Sequence, residues 1–266
     1  MTRIDVPPRA GAISPPPVAV LSRLRRFNAV MGALHAVQAV AVILLANTFA
    51  LPITATYVSG PPGTTPGPVT VLAEVPLAAA VVAFLVVSAL AHWWIAGPGS
   101  RRYAIDLGHE RNIARWVEYS ISSTIMMVAI AHLCGVTDAA ALLAISGCNI
   151  SMILFGWLQE QYEQPGGGGW LPFIFGCLAG LVPWLVVVLA VLAPGSTPAV
   201  SPPGFVYAII ISLFVFFNVF ALNQWLQYRR VGPWRDYLFG ERVYIWLSLV
   251  AKSALAWQVF AGALAA

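Results

Sequence analysis

Seven long apolar stretches, at about 24 to 48, 71 to 97, 110 to 134, 137 to 160, 170 to 194, 203 to 228 and 240 to 264, set the strongest limit on what this chain can become. Each is long enough for a helix to cross the hydrocarbon core of a bilayer, which takes roughly 20 apolar residues. In lipid, only a helix or a closed barrel satisfies its own backbone polar groups. The expected fold is therefore all-α, an integral membrane bundle of seven transmembrane helices. Composition points the same way: 59% of the residues are hydrophobic and 9% charged, whereas a water-facing surface needs about a quarter charged. That scarcity of charge also excludes a disordered chain and a phosphate-tracking, nucleic-acid-binding surface. Cys134, Cys148 and Cys177 show no Cys-x-x-Cys spacing and read as small apolar fillers, so neither a metal site nor a disulfide framework is expected. The chain has no His-Glu-x-x-His, no Gly-x-Ser-x-Gly and no paired intramembrane aspartates, which argues against an intramembrane hydrolase and for a non-enzymatic role.

Punctuation falls between the stretches: Gly97-Pro98-Gly99, Gly166 to Gly169, Pro194-Gly195, Pro202-Pro203-Gly204 and Gly232-Pro233, with a tight turn near Gly135. The connection at about 49 to 70 is long and rich in Pro, Gly and Thr, which suits a short hairpin or an ordered cap. Residues 1–22, carrying Pro7, Pro8 and Pro15 to Pro17, lack the features of a signal peptide and read as a disordered cytoplasmic tail ahead of a domain at 23–266. Charge then orients the bundle. All thirteen arginines lie before or at the start of the first stretch, between the second and third or just inside the third, or between the sixth and seventh or at the start of the seventh. The opposite side has no arginine or lysine, so the positive-inside rule predicts a multi-pass cell-membrane protein with its N-terminus cytoplasmic and its C-terminus and 49–70 loop extracellular. Trp93, Trp94, Tyr103 and Trp234 fit an interfacial aromatic belt.

The single lysine, Lys252, lies near the middle of the seventh stretch. A cation at that depth is costly unless paired or neutralised, which makes it a functional-site hypothesis by default. It stands ten residues beyond Arg242, roughly 15 Å at 1.5 Å per residue, too deep to snorkel easily. Desolvated lysine also condenses readily with an aldehyde. Glu118 in the third stretch lies at a similar depth and is the one acid well inside a span, Glu74, Asp138 and Glu160 standing near span ends. Two partners for Glu118 are open: Arg115, three residues earlier on the same helix, or Lys252. Charge accounting favours Lys252, because Arg115 is nearer the cytoplasmic edge and can reach headgroups or water.

Taken together, certain residues make the sequence resemble the heliorhodopsins, a branch of the microbial retinal proteins, over about 24 to 264. They are His35 and Gln38; Ser88 and His92; Arg115, Glu118, Tyr119, Ser122, Ser123 and Met126; Asn149, Met152 and Glu160; Phe217 and Gln224; and Ser248, Lys252 and Trp257. The resemblance implies a microbial-rhodopsin-like bundle in inverted orientation, in agreement with the charge pattern. It implies all-trans retinal bound to Lys252 as a protonated Schiff base, with Glu118 as counterion and Ser248, Ser122 and Tyr119 around the linkage. It further implies a cytoplasmic polar cavity of His35, Gln38, Ser88 and His92 able to take up a proton, the reference pKa of histidine being about 6.5. A lone buried histidine is, by itself, more often a hydrogen-bonded packing residue. Ser123, Met126, Asn149, Met152, Phe217 and Trp257 would enclose the polyene, although Met and aromatic residues are otherwise ordinary core. The implied activity is light sensing with a slow photocycle, as a homodimer, signalling to an unknown cytoplasmic partner. Residue 129, eleven beyond Glu118, is alanine where a bacteriorhodopsin-like pump has its proton donor, which argues against net pumping. A light-gated ion conductor, or a retinal-free seven-helix transporter or scaffold, are the competing readings.

Overall fold

A computed structural model describes residues 15–193 and 202–265. Most of the expected tail, residues 1–14, and the expected break at Pro194-Gly195 lie outside the described residues. Seven long helices carry the fold: α1 (Val18–Leu45), α2 (Leu77–Ala96), α4 (Ile113–Leu133), α5 (Ala139–Tyr162), α6 (Leu171–Leu192), α7 (Gly204–Tyr228) and α8 (Tyr237–Val259), the last running on as a π-helical turn to Leu264. A short helix, α3 (Ser100–Gly108), crosses the arginine-rich end between α2 and α4. Six of the long helices are apolar and long enough to span a membrane. The seventh, α4, has the length but is diluted by Arg115, Glu118 and four hydroxyl residues between Ser120 and Thr124. Outward-facing Leu44, Leu143, Leu178, Leu189 and Ile211 are exposed, an exterior suited to hydrocarbon rather than water.

Three features depart from the sequence expectation. The fold is mostly helical rather than all-α, because strands β1 (Ala50–Thr56) and β2 (Val69–Pro76) pair antiparallel from Ala50↔Pro76 to Thr56↔Val69. Helix α2 accordingly starts at Leu77 and not at 71. Val69, Thr70 and Val71 are β-branched and favour the pleated backbone, and Pro76 serves as the helix N-cap. Helix α1 begins at Val18, within the stretch expected to be a tail, since an apolar Val-Ala-Val-Leu run follows directly on the N-cap Pro17.

Local signals set the other ends. Asn112 and Asp138 cap α4 and α5 by accepting from the amides of Arg115 at 3.1 Å and Ala141 at 3.0 Å. The α4–α5 turn uses Gly135 at φ 89°, a left-handed conformation that glycine adopts without steric cost. The hairpin closes over that turn: Thr54 donates its amide to Thr137 at 2.9 Å, and the His132 ring meets the Pro52 carbonyl at 2.8 Å. A large apolar core, including Val42, Phe84, Met127, Ile130, Leu213 and Leu255, fills the bundle towards the hairpin end. A smaller one around Leu24, Met31, Ile95 and Leu107 closes the arginine-rich end. The polar chemistry lies between them.

Candidate functional site

Lys252 and Glu118 meet in the middle of the bundle. Lys252 Nζ stands 3.2 Å from Glu118 Oε1 and donates to Ser248 Oγ, one turn back on α8, at 2.7 Å. Both partners are buried, so the attraction is little screened. Ser88 on α2 donates to the same carboxylate at 2.6 Å. Tyr119 places its ring face 5.0 Å from the ammonium and donates its hydroxyl to the Tyr244 carbonyl at 3.0 Å. Ser122 is buried one helical turn after Glu118. Of the two partners left open for Glu118, the structure pairs it with Lys252.

His35 and His92 stack, with ring centroids 5.5 Å apart and planes 14° apart. His92 Nδ1 lies 2.7 Å from Asn28 Oδ1. Neither ring nitrogen of His35, which is wholly buried, meets a hydrogen-bond partner among the described residues. Gln38 does not join them. It is half-buried at the α1–α8 seam, where its Oε1 accepts from Trp257 Nε1 at 3.0 Å. Trp257 in turn is 38% exposed and turned away from the interior. Both were expected inside, and neither is, because their positions on α1 and α8 rotate them outward.

Beside Lys252 opens a cavity of about 220 Å³, walled by α4, α5, α6, α7 and α8. Ser123, Met126, Met152 and Phe217 line it as expected, with Ser248 and Lys252 at its polar end. Asn149 stands behind the wall, donating to Ser123 Oγ and Thr124 Oγ1 at 2.9 Å each. The strongest walls were not anticipated: Trp116, Trp184, Phe220 and Tyr244. Trp184 packs edge-on against Phe214 and Phe217 at 5.3 and 5.6 Å, bridging α6 and α7. Glycines make room for these groups. A Cβ at Gly156 would lie 2.5 Å from the Trp116 ring, and one at Gly180 would lie 2.3 Å from Met152 Sδ. An aromatic residue in an apolar run carries no sign of which way it faces, so only the glycines one helix away hinted at these contacts.

Towards the arginine-rich end lies a second buried charge cluster, and it overturns the expectation for Arg115. That side chain does not reach headgroups or water; it is 5% exposed and bridges Glu160 on α5 and Glu241 on α8. Glu160 also accepts from the Asn112 amide, the Trp116 indole and the Tyr237 hydroxyl. Glu241 accepts from Tyr103 at 3.0 Å and Asn112 Nδ2 at 2.7 Å. Tyr103 is thus buried on α3 rather than interfacial. Burial, with the Glu241 carboxylate beside it, pushes its hydroxyl well above the usual tyrosine value, so it stays a donor. Glu160 was expected only as a span-end acid and Glu241 was not singled out; the available signal was Arg115 itself, a cation inside a span without an acid on its own helix face other than Glu118. A small cavity of about 20 Å³ touches both charge groups, lined by Asn28, His92, Asn112, Arg115, Glu118 and Glu241 among others, room for about one water molecule. Among the described residues, no group of three His, Cys, Asp or Glu side chains could hold a metal ion.

The bundle thus carries a buried lysine–carboxylate pair at one end of an aromatic cavity. The solved structures that share its fold include the proton-pumping rhodopsin AR2 of the marine alga Acetabularia acetabulum, with a TM-score of 0.60 at 13% identity over 92% of this chain and 96% of that one, and the light-driven proton pump LR (Mac) of Leptosphaeria maculans, with 0.61 at 15% over 94% and 99%. The sequence model of the heliorhodopsin family matches residues 24–264, and the chain belongs to that family. Among curated protein sequences none matches it.

Proposed function

We propose that this chain is a light sensor that carries all-trans retinal on Lys252 as a protonated Schiff base, with Glu118 as its counterion. The observation that carries this reading is that the one lysine of the chain ends at the cavity and lies 3.2 Å from a buried carboxylate. A cavity with aromatic and sulfur walls and one amine fits a polyene aldehyde. When bound, retinal supplies light-driven isomerisation about a double bond. The protein's own groups do the rest. Glu118 keeps the positive charge at Lys252 compensated, Ser88 and Ser248 hold the two partners in register, and Tyr119, Ser122 and Ser123 complete the polar end. Met126, Met152, Phe217, Trp116, Trp184 and Tyr244 restrict motion along the cavity. His35, stacked on His92 beside Ser88, forms the proton-accepting polar pocket of this reading, and the proton returns without net transport. Ala129, buried where a pump of the bacteriorhodopsin kind has a carboxylate, supports the absence of pumping.

The same reading includes a slow photocycle, a cell-membrane location with the N-terminus cytoplasmic, a homodimer and an unidentified signalling partner. Thirteen arginines at one end support the orientation. The test is a visible spectrum of protein purified with all-trans retinal, beside Lys252→Ala, with hydroxylamine bleaching as the check on covalency. A visible band that requires Lys252 is expected. Well-folded protein that stays colourless overturns the reading.

A further inference from the structure

Two cavity walls belong equally to the Arg115 cluster. The Trp116 ring lines the cavity while its indole N–H donates to Glu160. Tyr244 lines the cavity with its ring, and Arg115 Cζ sits 3.9 Å from that ring's centroid and 4.8 Å from that of Trp116. The two rings also touch, edge to face, with centroids 6.2 Å apart. Gly156 leaves Trp116 no free space on the α5 side, since even a Cβ there would collide with it. A ring pushed outward from the cavity therefore moves against the ion cluster it touches.

That cluster holds four elements together at the arginine-rich end. Tyr103 brings α3, the Asn112 cap and Arg115 bring α4, Glu160 brings α5, and Tyr237 with Glu241 brings α8. Every contact is a hydrogen bond or ion pair of short range, and such networks adopt discrete arrangements rather than stretching continuously. Glu118, by contrast, spends its bonds on Lys252 and Ser88.

We propose that the Arg115–Glu160–Glu241 cluster reads the cavity: displacement of the cavity wall in the light reaches the two carboxylates through Trp116 and Tyr244 and resets the hold of α3, α5 and α8 on α4. Glu160 and Glu241 are positioning residues in this device, and the arginine-rich end is where the light signal leaves the bundle. The inference rests on the retinal reading above.

Light-minus-dark infrared difference spectroscopy on the retinal-loaded, full-length protein tests it. Carboxylate bands that disappear in Glu160→Gln or Glu241→Gln are expected, in variants that keep their visible band. Trp116→Phe, which keeps an aromatic ring at the wall but loses the indole donor and part of the ring, should cut the Glu160 band by more than half. In unsubstituted protein with indole-15N tryptophan, light should shift an indole N–H band, a measurement that does not depend on any variant folding. Coloured protein without Glu160 or Glu241 bands, bands untouched by Trp116→Phe, or no indole shift overturns the inference and leaves the retinal reading standing. Colourless protein overturns both.

Discussion

The bundle buries two groups of charge within a few turns of each other, and they are built on opposite plans. Around Arg115, two carboxylates converge on one guanidinium and draw further donors from Asn112, Trp116, Tyr103 and Tyr237. Around Lys252, one ammonium faces one carboxylate, with a serine on each side. The first group is crowded with partners and joins four elements; the second is sparse and borders a cavity. Buried charge is tolerable in lipid only when paired, and the difference lies in what remains free afterwards. The crowded cluster spends both terminal nitrogens of Arg115 on its own carboxylates and leaves only the buried Nε without a partner among the described residues. The sparse pair leaves its amine open to chemistry.

Arg115→Leu should break this contrast most severely, by leaving Glu160 and Glu241 buried without a cation. The expected cost is about 3–5 kcal/mol, seen as lowered thermal unfolding in detergent or as lost yield of folded protein; a loss of only a few tenths would place the cluster with ordinary surface pairs. Glu118→Gln attacks the other group. It should fold but lose its visible band at neutral pH and regain it on acidification, because the charge at Lys252 then has no fixed partner; an unchanged spectrum would remove Glu118 from the counterion role. Ser88→Ala is milder, removing one hydrogen bond to a charged group, about 1.5–3 kcal/mol, with a measurable shift of the absorption maximum. Tyr103→Phe sharpens the comparison from the crowded side. Glu241 keeps Arg115 and Asn112, so a loss at the low end of the range for a hydrogen bond to a charged group, about 1.5 kcal/mol, and no colour change are expected, and a shifted spectrum would show that the two groups are more tightly coupled than their bonds imply.

The parts of this fold that run along one dimension were readable in advance. The number of long helices follows from apolar length, and the meeting of Lys252 with Glu118 follows from depth: two opposite charges at one level of a membrane have few other partners. The hairpin was anticipated only as one option for the first connection, because the competition between strand and helix at 71–76 was decided by β-branched residues and Pro76 inside an apolar run that hydropathy alone cannot divide. Gln38 and Trp257 were misplaced for a related reason. A helix with apolar residues all round shows no preferred face, so its rotation is invisible until its neighbours are packed.

By itself, then, the sequence determined the apolar exterior, the seven long helices, the charge asymmetry between the two ends and the one amine available for chemistry, since each depends on composition or on distance along a helix axis. Only the tertiary structure decided that Arg115 turns inward to Glu160 and Glu241, that Trp116 and Tyr244 face both cavity and cluster, and that Gln38 and Trp257 face out. Those outcomes depend on the rotation and lateral packing of helices contributed by segments more than forty residues apart, and lateral packing is settled by shape, through glycines such as Gly156 and Gly180 that admit a neighbouring side chain.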